Sequence, residues 1–191
     1  MNPSLAYSIL NHFDATRSYP FDLRGRANWS RPFVLHLDFV LKADLREIIL
    51  PEKFDGAERT DNLWEHTCFE AFISLESGPE YLEVNLAPSG QWNIYEFSSY
   101  RSSRIEAEQV ICKPLILKAK TNFNIQTEID LSQVAWIKNS KKNMDLQIGL
   151  TGVIELKNNM KSYCALTHKS DKPDFHRKES FILRLKNPGA I

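Results

Sequence analysis

Cysteine is scarce in this chain, and the three present, Cys68, Cys112 and Cys164, lie far apart. No CxxC pair occurs, and any disulfide would leave one thiol over. That excludes a disulfide scaffold or a zinc ribbon and suits a reducing compartment. Long apolar runs are missing as well; none approaches the roughly 20 residues of a membrane helix. The opening segment MNPSLAYSILNHFDATR has no basic start followed by a long apolar core, so no signal peptide is expected. A cytoplasmic protein with no membrane partner is the expectation. An excess of either charge is also absent, since Lys+Arg and Asp+Glu both number 24. Such a chain has no broad field to draw in nucleic acid, and no nucleic-acid partner is expected. GxGxxG, GxxxxGK[ST] and GxSxG do not occur, which disfavours nucleotide binding and α/β-hydrolase chemistry. Repeats, low-complexity blocks and interdomain linkers are lacking, so residues 1–191 are read as one domain.

What the chain does have is alternation. The stretch 59–101 holds Trp64 and Trp92 and three alternating runs, at 68–75, 81–87 and 91–97. Gly78-Pro79 separates the first two and Pro88-Ser89-Gly90 the last two, as in antiparallel strands joined by tight turns. Residues 21–29 and 33–41 alternate about Ser30-Arg31-Pro32 and predict a hairpin. Further strands are expected at 110–120, with an edge or bulge at Pro114, and at 123–131. Others are expected at 145–156, with a bulge at Gly152, and at 162–168 and 181–185. In 43–50, Leu45, Ile48 and Ile49 sit at i, i+3 and i+4 before Pro51, which predicts a short helix. Residues 132–143 read as a loop or a single helical turn near Trp136, and 102–109 as a polar connection. The pattern predicts an all-β fold: an antiparallel two-sheet β-sandwich with one or two short helical turns. An up-and-down barrel would leave the same periodicity.

Period-2 alternation assigns faces. Phe69, Ala71, Ile73 and Leu75 form one apolar set, while Glu70 shares its face with Cys68, Phe72 and Ser74. On the next run Leu82, Val84 and Leu86 oppose Tyr81, Glu83 and Asn85. On the third, Trp92, Ile94 and Glu96 alternate with Asn93, Tyr95 and Phe97. Neighbouring strands would gather Glu70, Glu83 and Asn85 on one face, with Tyr95 or Trp92 nearby. Carboxylates, an amide and flat rings suit a sugar: rings cover its apolar faces and polar groups take its hydroxyls. The plain alternative is a solvated face whose glutamates pair with Arg59, Arg101 or Arg104. Two neighbouring glutamates also raise a glycosidase pair, with His168 or His176 as a further acid or base. His168, Asp174 and His176 offer zinc-ligand types, but the spacing matches no paired-ligand motif. A loop pinned by His–Asp hydrogen bonds and Pro173, holding no metal, is expected there.

The segments LWEHTCFEAF, YLEVNLAPSGQWNIYEF and SSYR, with the later SYCALTH and KPDFH, resemble a DOMON-like family related to the family 9 carbohydrate-binding modules. The resemblance implies a jelly-roll-like β-sandwich. It also implies a sugar-stacking role for Trp64, hydroxyl recognition by Glu70 and a ligand contact from Arg101. The second stacking Trp of those modules has no counterpart; Tyr163 lies in the region where one would be sought. Haem-binding relatives use axial Met and His, and Met1, Met144 and Met160 match no such position. Relatives also carry structural calcium, for which the 55–61 loop offers oxygens but no EF-hand series. No cofactor is expected. The resulting expectation is a non-catalytic domain binding a saccharide or related polar small molecule through Trp64, Glu70, Glu83, Asn85, Tyr95 and Arg101. A small enzyme, or a protein-interaction domain bearing a large exposed apolar patch, are the alternatives.

Overall fold

A computed structural model describes residues 6–52, 56, 58–140 and 144–187. Thirteen strands occur among them. The first four are β1 (Ser8–Ile9), β2 (Asn11–His12), β3 (Phe21–Arg31) and β4 (Val34–Ala43). The central meander is β5 (Cys68–Leu75), β6 (Tyr81–Leu86) and β7 (Trp92–Phe97). Then come β8 (Ile105–Glu106), β9 (Leu115–Lys118), β10 (Asn122–Asp130), β11 (Leu146–Glu155), β12 (Lys161–Ala165) and β13 (Leu183–Leu185). Helix α1 (Ala135–Lys138) is a single turn, as expected near Trp136, and 3-10 turns lie at Leu63–Glu65 and Lys178–Ser180.

The strands form two antiparallel sheets. The first runs β1-β3-β4-β10-β9, and the second β2-β12-β11-β5-β6-β7-β8 with β13 also on β11. Apolar residues of both inner faces interdigitate, which makes the fold the expected sandwich. Phe69 of the second sheet stacks on Phe123 of the first at 5.7 Å and lies 5.8 Å from Phe39. Burying each such ring stabilises the fold by about 2–3 kcal/mol. The inner face of β5–β7 is the set read from alternation: Phe69, Ala71, Ile73, Leu82, Val84, Leu86, Trp92 and Ile94.

Several expectations need correction. Residues 43–50 form no helix. Asp44 turns the chain by accepting the Arg46 backbone N–H, and Ile48 bridges to Leu156. Tertiary pairing outweighs the short helical pattern there. Gly152 makes no bulge, since β11 keeps continuous register with β5 and β12 on either side. Its glycine answers a close approach instead: a Cβ there would sit 2.7 Å from Leu23 of the facing sheet. The alternation therefore carries through, and Val153 points away from the core. The 102–109 connection contains β8, which pairs with β7. The strand in 110–120 covers only β9, an edge strand as Pro114 suggested. Phe33 leaves β4 and sits in the turn at φ 63°.

The largest correction concerns the outer face of β5 and β6, the face weighed above as solvated. Every residue of both strands is buried. The cover is the 170–181 segment. Phe181 packs on Phe72 and Tyr81, while His176 packs edge-on against Phe72, Tyr81 and Phe97. The second sheet is thus covered on both faces over its centre. Among the described residues, no helix is long and apolar enough to cross a membrane.

Candidate functional site

The cover does not close completely. A cavity of about 580 Å³ opens on the outer face of the second sheet. Glu70 and Phe72 of β5 and Glu83 of β6 line it, with Phe97 of β7 and Val153 of β11. Lys161 and Tyr163 of β12 form one side, and Pro173, Phe175 and His176 of the covering segment another. Trp64 and Glu65 come from the 3-10 turn before β5, and Arg101 and Arg104 from the turn after β7. That last turn is tight, with Arg101 at φ 52° and Ser103 at φ 53°, and it brings both arginines to the cavity. Left-handed backbone at two non-glycine residues costs about 1–2 kcal/mol each.

Register explains the floor. Glu70 pairs with Asn85 and Phe72 with Glu83, so the two carboxylates are diagonal neighbours on one face. Glu70 is 2% exposed; Thr151 Oγ1 approaches its Oε2 at 3.4 Å, and its Oε1 has no partner. Burial and the charge of Glu83 push the Glu70 carboxyl well above the usual range, which favours its protonated form. Burial also raises Glu83, opposed by the Asn85 amide at 2.9 Å and by Arg104 and Arg101. Glu83 is accordingly the member of the pair that ionises first.

A polar chain runs along one side. The Arg101 backbone N–H donates to the Tyr81 hydroxyl at 3.1 Å, which lies 2.8 Å from His176 Nδ1. His176 Nε2 faces Glu83 Oε2 at 3.7 Å. Burial, then Arg101, lowers His176 to about 4, so the ring is neutral at pH 7. Burial raises Tyr81 to about 12. Asp174 ties the covering segment down by accepting from the Tyr100 hydroxyl at 2.7 Å, Arg101 Nη2 at 3.0 Å and the His176 backbone N–H. Burial would raise Asp174, but these donors outweigh it and hold the carboxyl below its ordinary range.

Four of the six residues singled out from the sequence, Trp64, Glu70, Glu83 and Arg101, line this cavity. The other two stand behind it. Asn85 is fully buried on Glu83 and Cys68, and Tyr95 lies under Trp64, bonded to Asp61 and Asn93. Trp92 is on the opposite, core face. Arg59 is no partner of the glutamates: it stacks on Trp92 at 4.4 Å and donates to the carbonyls of Ala107 and Val110. The histidines separate. His176 faces Glu83, whereas His168 bonds the Asn11 carbonyl at 2.8 Å and does not line the cavity. The loop is pinned by Asp174, through the His176 backbone N–H as the expected His–Asp hydrogen bond and also through Tyr100 and Arg101. Among the described residues no His, Cys, Asp and Glu cluster could hold a metal. Of the 55–61 loop, Asp55 lies outside the described residues.

Sequence reasoning left Lys161, Tyr163, Val153, Pro173 and Phe175 unassigned to the site. Tyr163 carries a period-2 signal only once β12 is known to pair with β11, placing it opposite Val153. Exposed apolar side chains do occur, at Ile111, Leu115 and Leu117 near the β9 edge. They lie outside the polar cavity.

Among solved structures that share this architecture, one matches nearly the whole chain. It is the crystal structure of a proposed carbohydrate-binding protein from Bacteroides uniformis ATCC 8492. The match has a TM-score of 0.67 at 15% identity and covers 95% of this chain and 85% of that one. At that identity the likeness is one of fold. No family model matches the chain, and no curated protein does. The DOMON-like family is therefore not shown for it.

Proposed function

We propose that this chain is a non-catalytic saccharide-binding domain and that the cavity over β5 and β6 is its binding site. The observation that carries the reading is Glu70. A carboxyl this deeply buried with an unpartnered oxygen is a standing cost to the fold unless a ligand completes it. It opens into the same cavity as the half-buried rings of Trp64 and Tyr163. A sugar hydroxyl both donates and accepts, so it complements Glu70 and Glu83 in either protonation state. Its C–H faces suit Trp64 and Tyr163. Asn85 and Tyr95 act from behind, Asn85 by orienting Glu83 and Tyr95 by backing Trp64. The fold shared with the Bacteroides protein, and the sequence resemblance to DOMON-like domains, point the same way. The test is titration calorimetry of the whole chain against monosaccharides and short oligosaccharides. Binding that is lost in Glu70→Ala supports the reading; no heat from any sugar at millimolar concentration removes it.

A hydrolytic reading has one observation in its favour. Glu70 and Glu83 are diagonal neighbours on one face, and burial beside Glu83 raises the Glu70 carboxyl, the direction a general acid needs. Release of nitrophenol from aryl glycosides, abolished in Glu70→Gln, would establish it. Absence of turnover alongside sugar binding leaves the domain a binder.

A further inference from the structure

We infer that the ligand is an anionic saccharide, whose hydroxyls meet Glu70 and Glu83 on the cavity floor and whose anionic group is received by Arg104 at the mouth. This rests on the saccharide reading above. The cavity is graded in charge with depth. Its floor carboxylates are 2% and 5% exposed, whereas the Arg104 side chain is 45% exposed and Lys161 is also exposed.

Arg104 differs from the other arginines nearby in being held but not used. Its guanidinium lies over the rings of Tyr95 at 4.9 Å and Trp64 at 5.2 Å, which fixes its plane. Among the described residues it makes no hydrogen bond within 3.5 Å, and its one carboxylate, Asp61, stands at 3.9 Å. Asp61 is already committed to the Tyr95 hydroxyl and the Asn62 N–H. Arg101, by contrast, is bound to Asp174, and Arg59 to backbone carbonyls. Lys161 donates to the Glu65 carbonyl. The exposed carboxylate of Glu65 also lines the mouth, facing the cations of Lys161, Arg101 and Arg104. A planar fork of five N–H donors, pre-oriented and unspent, matches a carboxylate or phosphate in bidentate fashion. A neutral sugar would leave that fork unfilled, and an amino sugar would bring a cation towards it.

The decisive experiment is calorimetry on the whole chain with three matched series: neutral hexoses, their uronates and their 2-amino derivatives. Sugar phosphates form a fourth arm that separates a carboxylate requirement from a general anion requirement. A uronate or phosphate binding at least about tenfold tighter than its neutral hexose, with the preference weakened by salt, supports the inference. Arg104→Gln should erase that preference, read as the ratio of uronate to neutral-hexose affinity within the variant, and its melting temperature is measured to confirm folding. Neutral hexoses binding as tightly as their uronates, or amino sugars binding tightest, overturn the inference and leave saccharide binding standing. No binding in any series overturns both.

Discussion

Two buried carboxylates, one on the outer face of each sheet, show how differently this fold treats the same chemical group. Asp38 in β4 is 3% exposed and fully engaged. Arg26 reaches it at 2.7 Å, Asn124 at 2.6 Å, and the Tyr7 hydroxyl also donates to it. Glu70 in β5 is as deeply buried, yet one weak hydroxyl contact is all it has, and one oxygen has no partner. A carboxylate kept for structure is surrounded by donors during folding. Glu70, by contrast, is left incomplete. Depth of burial therefore says little about role; the partner list says more.

Mutating the two carboxylates should expose that difference most strongly. Asp38→Ala removes the partner of Arg26 and Asn124 and should cost about 3–5 kcal/mol of stability. Denaturant melts should show this, and a chain of this size should lose about 2–4 °C of melting temperature per kcal/mol. Glu70→Gln replaces a carboxyl whose neutral form burial favours with an uncharged amide of similar shape, so stability at neutral pH should change by less than about 1 kcal/mol while sugar affinity falls. An equal loss from both substitutions would break the comparison.

The same pair can be read through pH. Glu70 has a raised folded pKa, so its contribution is complete at acid pH and fades as pH rises above the unfolded carboxyl value. His176 has a folded pKa lowered to about 4, so its contribution is complete above roughly 6.5 and is lost as pH falls towards 4. The two oppose each other in the wild-type chain. In Glu70→Gln the alkaline decline should flatten, leaving the acid loss of His176, on the order of 3 kcal/mol. Melting temperatures recorded across this range test it, and an unchanged alkaline slope in the variant would show that Glu70 is not the proton holder.

Smaller effects concern the cover and the mouth. Asp174→Asn weakens the ties to Tyr100 and Arg101 and should cost about 1–2 kcal/mol, with faster hydrogen exchange confined to 170–181. Trp64→Ala should alter melting temperature least, since the ring is only half-buried and packs at the edge of the outer cluster around Phe72, Tyr81 and Tyr95. It should nevertheless weaken sugar binding by up to about a hundredfold, from 1–3 kcal/mol of lost apolar contact. A large fall in melting temperature would instead make Trp64 a packing residue.

Alternation alone placed Glu70, Glu83 and Asn85 on one face and Phe69, Leu82 and Val84 on the other, because successive strand residues must point to opposite sides. It also marked Trp64 at the head of β5, and turn residues located the meander. The same local reading failed at 43–50, where three apolar residues fit a helix but Ile48 joins Leu156 of a distant strand. It also took Gly152 for a bulge, because the Leu23 side chain that fills its Cβ position comes from the other sheet. Tertiary structure alone decided that the polar face is buried, since its cover lies about 100 residues further along the chain. It likewise decided that Tyr163, Phe175 and His176 share a cavity with Trp64, and that Arg104 is left with open donors. Local sequence sets which way a side chain points. Whether it finds a partner depends on what folding brings opposite to it.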